Sequence, residues 1–347
     1  MAEPENSPAV DRVAMLDILK ALAICLVVFG HVVQGFGRLE IVHEGNALDA
    51  LQGWVYRFHM HSFFFASGCA LALRPPESFT ALLARRACTL YWPHLVWSAI
   101  YYAVAVIFVR YYNSPMEDPG DIGRHVLEIV TGQKSWFLVT LFVVTLAAWP
   151  LLKRARFLTL AIALALAALP LFGGWQVPHY FQRFAVFLVL GFAAVDLVRR
   201  TEARSSTVAL AAAGVTLLAA ILPATPPSSL AGTGLRLWDL MSGCLGVAGL
   251  LAVAAALSRT ALMSVLSWLG NASLAIFLMH PLASGAARIA TLKLLPHDGF
   301  LQVGIVTFAG IALPALAYAV ALRLGMNWLF AFPRRRPQAS YPASPAL

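Results

Sequence analysis

Charge is what this chain is short of. Only 12% of its 347 residues are Asp, Glu, Lys or Arg while 60% are hydrophobic, and a soluble surface would carry roughly twice that charged share. A water-soluble globular domain is thereby excluded. Cysteine is sparse too: Cys25, Cys69, Cys88 and Cys244 stand far apart, so neither a disulfide framework nor a metal-ligand spacing is present, and no metal is expected. No segment alternates apolar and polar residues in the manner of an outer-membrane barrel. No linker rich in Gly, Ser or Pro divides the chain. One membrane domain over 12–332 is expected, between a polar tail at 1–11 and a disordered basic tail at 333–347. The first apolar run lacks a small-residue cleavage site and is expected to stay in place as an anchor.

What the chain has in abundance is long apolar sequence. Runs able to cross the hydrocarbon layer recur at 14–36, 51–73, 89–110, 135–152, 157–172, 180–198, 206–223, 235–257, 264–285 and 300–324. They predict an all-α polytopic membrane protein with about ten transmembrane helices. Basic residues orient it. With the N-terminus in the cytoplasm, Arg85, Arg86, Lys153, Arg154, Arg156 and Arg199 fall inside, and the outer loops keep a smaller, scattered set that includes Arg38, Lys134, Arg236 and Arg288. Both termini are therefore expected in the cytoplasm, and the chain in the inner (plasma) membrane among lipids. The net charge of +9 is mostly this topology signal, and its dispersal over short loops speaks against a nucleic-acid partner. The excursion at 111–134 is long enough to cap the outer face.

Within the apolar runs polar residues are few, and the histidines and arginines of five of them share one depth. In the first run Asp17, Lys20, His31 and Gln34 follow a 3-4 spacing, which puts them on one helical face. Lys20 and His31 are eleven residues apart, roughly 16 Å along a helix. Ionisable groups inside a bilayer cost a few kcal/mol each and usually face a wet interior. Asp17 and Lys20 could instead snorkel at the interface, and His31 could be a satisfied interior histidine. Near the same outer end lie Arg57, His59 and His61, then Arg183 with His179 beside it, then Arg236 and Asp239, and His280 with Ser273 two turns before it and Pro281 directly after. Imidazole is suited to take a proton from a hydroxyl near pH 7, and guanidinium to stabilise an oxyanion, a pairing that acyl transfer to an alcohol needs. On the inner side Arg85-Arg86 could grip phosphate of a cytoplasmic donor or serve as topology determinants on lipid phosphates.

These residues resemble the integral-membrane acyltransferase-3 family, and within it the fucose 4-O-acetylase-like branch of sugar O-acetyltransferases. The segment from Arg12 to His31 is similar to the family's opening, with a basic residue, ten residues and then histidine. Phe58-His-Met-His-Ser-Phe-Phe-Phe-Ala-Ser-Gly68, Trp136-Phe-Leu, Arg183-Phe with Gly191, and Ser273-Leu-Ala-Ile-Phe-Leu-Met-His-Pro281 resemble further landmarks in the family's order. Two departures stand out: His61 where the family has proline, and Thr89 where many members place the second arginine of Arg-x-x-Arg after Arg86. The resemblance implies a membrane O-acyltransferase that moves an acyl group, usually acetyl from cytoplasmic acetyl-CoA, to a hydroxyl of a cell-surface or lipid-linked glycan, with no bound cofactor. It gives His31 the catalytic role and Lys20 that of its basic partner. His280 joins the catalytic set; Arg57, His59, Trp136, Arg183, Asp239 and Ser273 are expected to hold the acceptor or stabilise charge, and Arg85 and Arg86 to hold the donor. Direct transfer and a covalent relay are both open. The rival is a secondary transporter with Lys20, His31, Arg183 and Asp239 as substrate or proton pathway, against which stand the shared depth of these groups and the lack of paired half-repeats.

Overall fold

A computed structural model describes residues 14–74, 77–107, 121–132, 136–169, 176–204, 206–221, 230–295 and 298–333. The predicted tail at 1–11, the predicted tail at 333–347 from residue 334 on, the 111–120 part of the excursion, Lys134 and the Pro-rich turn at 223–229 lie outside the described residues. Among the described residues the fold is all helical. Its elements are α1 (Ala14–Gly37), α2 (Ala47–Val55), α3 (His59–Ala72), α4 (Phe79–Arg86), a π-helical turn (Ala87–Tyr91), α5 (Trp92–Ile107), α6 (Ile122–Thr131), α7 (Trp136–Ala168), α8 (Gln176–Arg204), α9 (Thr207–Ala220), α10 (Gly232–Leu257), α11 (Met263–Asn271), α12 (Ser273–Leu294), α13 (Gly299–Arg323) and a 3₁₀ turn (Asn327–Leu329). Among the described residues seven helices are long and apolar enough to cross a membrane, α4 and α5 counting as one through the π turn.

The seven account for eight of the predicted runs, because α7 holds two of them. Ala155 leaves the helical region with φ −155° and ψ 67°, between Arg154 and Arg156. A straight helix of 33 residues would span about 50 Å, yet both ends of α7 reach the start of α8. Trp136 stacks on Tyr180 at 3.8 Å and Phe184 at 5.4 Å, while Gln182 Nε2 donates to the Leu166 carbonyl at 2.6 Å. The chain therefore reverses at Ala155, where the basic cluster sits. The other two runs are α3 and α9, each 14 residues. The run predicted at 51–73 is broken by a turn at Tyr56–Phe58, and that at 264–285 at Ala272, after which α12 continues to Leu294.

Packing explains the order of the bundle. Between α3 and α8, the backbones touch where each helix offers glycine: a Cβ on Gly68 would lie 1.9 Å from the Leu188 carbonyl oxygen, and one on Gly191 2.0 Å from that of Phe65. Small residues are how helices gain close van der Waals contact when lipid removes the hydrophobic incentive. The approach lets the Cys69 thiol donate to the Gly191 carbonyl at 3.1 Å. α1 is buried along most of its length and is contacted by α3, α10, α11, α12 and α13, so it forms the bundle's axis.

After α13 the chain turns back onto the start of α5 for a local reason. In the π turn, Trp92 N–H bonds the Ala87 carbonyl instead of Cys88's, and Pro93 has no N–H to offer. The Cys88 carbonyl accepts from Phe332 N–H at 3.0 Å instead. Trp92 Nε1 donates to Trp328 O at 2.7 Å and Trp97 Nε1 to Leu329 O at 2.9 Å, which fastens the segment along α5.

Candidate functional site

Two facing helices build the site. On α1, His31, Gln34 and Gly35 share a face by their 3-4 spacing, continued by Arg38 just past its end; on α12, His280, Ser284 and Arg288 do the same over two turns. Together with Val306 of α13 they line a cavity of about 170 Å³, far more than the ~10–15 Å³ that admits one water. Among the described residues none that lines it carries a carboxylate.

At its base the two imidazoles meet, His280 Nε2 to His31 Nδ1 at 3.2 Å with ring centroids 5.1 Å apart. Pro281 explains how His280 is held. Lacking an N–H, it leaves the Phe277 carbonyl four residues back without its helical donor, and His280 Nδ1 lies 2.8 Å from that oxygen and 3.1 Å from the Ile276 carbonyl. Carbonyls only accept, so Nδ1 of His280 carries the proton and Nε2 of the neutral ring is an acceptor. His31 must then donate through Nδ1, which leaves Nε2 of His31 with its lone pair. His280 is 1% exposed, whereas His31 is exposed to the cavity. The buried ring orients the open one, and the open one is the ring able to take a proton.

The remaining predicted residues are placed elsewhere. Lys20 pairs with Asp17 at 2.7 Å near the other end of α1 and does not line the cavity. Ser273 is buried at the start of α12, two turns from His280. Arg57 Nη1 donates to the Ile221 carbonyl at 2.6 Å, after α9. His59 is buried, its Nδ1 2.8 Å from the Val55 carbonyl and its ring 5.1 Å from that of Tyr56, which in turn lies 6.5 Å from His31. Arg183 and Asp239 form an ion pair at 2.5 Å that lines, with Arg236, a separate cleft of about 10 Å³, room for about one water. Trp136 belongs to the aromatic stack with Tyr180 and Phe184 under that pair. So the structure brings His31 to His280, and Arg183 to Asp239, but the two groups line different cavities. His61, the departure from proline, is fully buried with its ring against Phe184 and Phe187 and neither nitrogen bonded.

At the Lys20 end of the bundle, Arg85 and Arg86 differ sharply. Arg85 is held by Glu77 through Nη2 to Oε1 and Nε to Oε2, the latter at 3.2 Å, and Lys153 Nζ caps the Glu77 carbonyl at 2.7 Å. The Arg85 hydrogen bond is the chief reason that the Glu77 carboxyl is held below its ordinary range. Arg86 is adjacent, and its Nε is buried with no hydrogen-bond partner in the structure.

Arg38, Arg288, Gln34 and Ser284 are the site residues that the sequence reading did not assign to the site. The basic pattern assigns both arginines to outer loops; Arg288 falls on the cavity because α12 runs on past its expected end at 285 to Leu294, and Arg38, the residue after α1, because its N–H still bonds the Gln34 carbonyl at 3.2 Å and so keeps the helical direction. The signal was the 3-4 spacing itself, continued from His31 to Arg38 and from His280 to Arg288.

Residues 13–322 match the family model described as an acyltransferase domain, the acyltransferase-3 type. No curated protein and no solved structure matches the chain.

Proposed function

Since the chain belongs to the acyltransferase-3 family and is an acyltransferase of membrane type, we propose that it transfers an acyl group, acetyl in the first instance, from cytoplasmic acyl-CoA to a hydroxyl of a cell-surface or lipid-linked glycan. The observation that carries this reading is the His31–His280 pair at the floor of a cavity of about 170 Å³ lined by arginines and polar side chains. In the reaction, Nε2 of His31 takes the acceptor's hydroxyl proton as the oxygen attacks the thioester carbonyl. The tetrahedral intermediate collapses with cleavage of the carbon–sulfur bond, and His31 returns the proton to the leaving CoA thiolate. His280 stabilises the imidazolium through its Nε2 while the proton is held.

Arg86, whose buried Nε lacks a partner, is the better placed of the two arginines to hold donor phosphate, since Arg85 is already occupied by Glu77. Lys20 and Ser273 lie toward that end of α1 and α12, the former roughly 16 Å from His31 along α1. Arg57, His59, Trp136, Arg183 and Asp239, each engaged by its own partner, hold the helix ends that border the acceptor's approach. Counting α3, α9 and both arms of α7 once each gives ten crossings, and the sorting of basic residues favours both termini at the cytoplasmic face of the inner membrane. The motif pattern of the fucose 4-O-acetylase-like branch supports a sugar acceptor.

The experiment is thiol release from acetyl-CoA by the purified full chain in lipid nanodiscs, with cell-surface glycan as acceptor. His31→Ala should abolish acceptor-dependent release while membrane protein level stays unchanged. Unaltered acetylation in that variant, or proton-coupled uptake without thiol release, would overturn the proposal.

A further inference from the structure

The cavity above the histidine pair is unusually cationic for a place inside an apolar bundle. Arg38 and Arg288 both line it, from helices α1 and α12 that converge there, and the lining contains no Asp or Glu. Arg288 is not a surface charge bending away. Its Nη1 would lie 2.3 Å from a Cβ placed on Gly35, so the guanidinium rests on the α1 backbone one turn from His31, in space that only glycine leaves open. Gln34 and Ser284 add neutral polar groups to the same wall, and the Ser284 hydroxyl is buried without a partner against Gly310. Two guanidiniums and an amide on the wall of one cavity form a receptor for an oxyanion: guanidinium forks match carboxylate and phosphate geometry, and the amide supplies a further donor.

A general base and a neutral sugar need none of this. The donor's own phosphates are expected at the other end of the bundle, beside Arg86, about the length of α1 away. We infer that the acceptor of this protein carries an anionic group, a carboxylate or a phosphate, and that Arg38 and Arg288 bind it within the His31 cavity so that a neighbouring hydroxyl meets Nε2 of His31. The inference rests on the acyl-transfer reading for the word acceptor, but the anion site itself does not.

Two readouts separate the claims. In binding, the melting temperature of the full chain in nanodiscs is followed with methyl glucuronide, glucose 6-phosphate, inorganic phosphate and methyl glucoside, at matched ionic strength. The anions should stabilise the wild type and the neutral glycoside should not; the carboxylate and phosphate arms identify which anion the site takes. Arg288→Gln should remove the stabilisation, and Arg288→Lys should keep part of it. Gly35→Ala leaves every charge in place but displaces the guanidinium, and should weaken the stabilisation as well. In catalysis, Arg288→Gln should raise KM for an acidic acceptor about tenfold or more, the scale of one lost hydrogen bond to a charged group, with kcat and the neutral acceptor's KM nearly unchanged. Equal stabilisation of wild type and Arg288→Gln by the anions, or none in the wild type, overturns the site. A fall in kcat on acidic and neutral acceptors alike also overturns it, because Arg288 would then act on the reacting centre. Arg288-dependent stabilisation without thiol release from any acceptor would uphold the anion site and sink acyl transfer.

Discussion

Pro281 is a single residue on which the chemistry of the cavity turns. By withholding an N–H from the Phe277 carbonyl it gives His280 a fixed acceptor for Nδ1, and the tautomer set there passes to His31. Pro281→Ala restores the helical donor, which then competes with the imidazole. The expected result is a protein with a higher melting temperature, since an interior proline costs a helix about 3 kcal/mol, and a lower kcat. Holding both quantities at wild-type values would show that the carbonyl does not orient the ring. His280→Gln keeps a polar side chain but loses the fixed tautomer, and kcat for thiol release should fall by about 10²–10⁴-fold with KM little changed. The histidines were legible in the sequence from their depth and from the proline after His280. Their pairing and the hand-off of protons were not, because they depend on two helices whose residues are 249 positions apart.

Helices, taken as units, show where apolar pattern informs and where it misleads. Run length located α1 and α13 to within a residue and α10 to within three, whereas α8 extends four residues before and six beyond its predicted run. It placed Arg288 in a loop because charge was read as the end of a span, whereas the guanidinium is accommodated by Gly35 on the facing helix and α12 has no reason to stop. The reverse turn at Ala155 was visible as a basic cluster between two apolar runs, although the helical pattern hardly lapses there. The α3–α8 crossing was invisible, since Gly68 and Gly191 acquire meaning only once each is seen against a carbonyl. Gly191→Val should therefore destabilise by about 1–3 kcal/mol or more, read as a lower melting temperature and yield. A wild-type melting temperature would mean that the two backbones can part without loss.

Across the whole molecule, charge is sorted to opposite ends, a cavity with arginines and histidines at one and the Glu77, Arg85, Arg86 and Lys153 cluster at the other. The second end is where pH acts on stability. A carboxyl held below its ordinary value contributes stability that is in full force above the unfolded pKa of about 4.3 and disappears as pH falls through the lowered folded value. Glu77→Gln should hence melt below the wild type at neutral pH, and the two curves should converge in acid; a gap that persists in acid would assign the loss to something other than ionisation. Arg86→Gln should raise KM for acetyl-CoA about tenfold or more, as loss of a charged hydrogen bond would, and an unchanged KM would remove Arg86 from the donor site. Sorting of basic residues was plain in the sequence; the neutralisation of Arg85 by Glu77 was not, because eight residues and a helix start separate them.

The docking of Trp328, Leu329 and Phe332 on α5 also carries a message about biogenesis. Indole donors on Trp92 and Trp97 await carbonyls that the ribosome adds 236 and 232 residues later, and the Cys88 carbonyl awaits Phe332. These three bonds can therefore close only after synthesis has passed Phe332. A copy cut short before that point would show insertion machinery and proteases three unmet polar groups, a built-in mark of incompleteness.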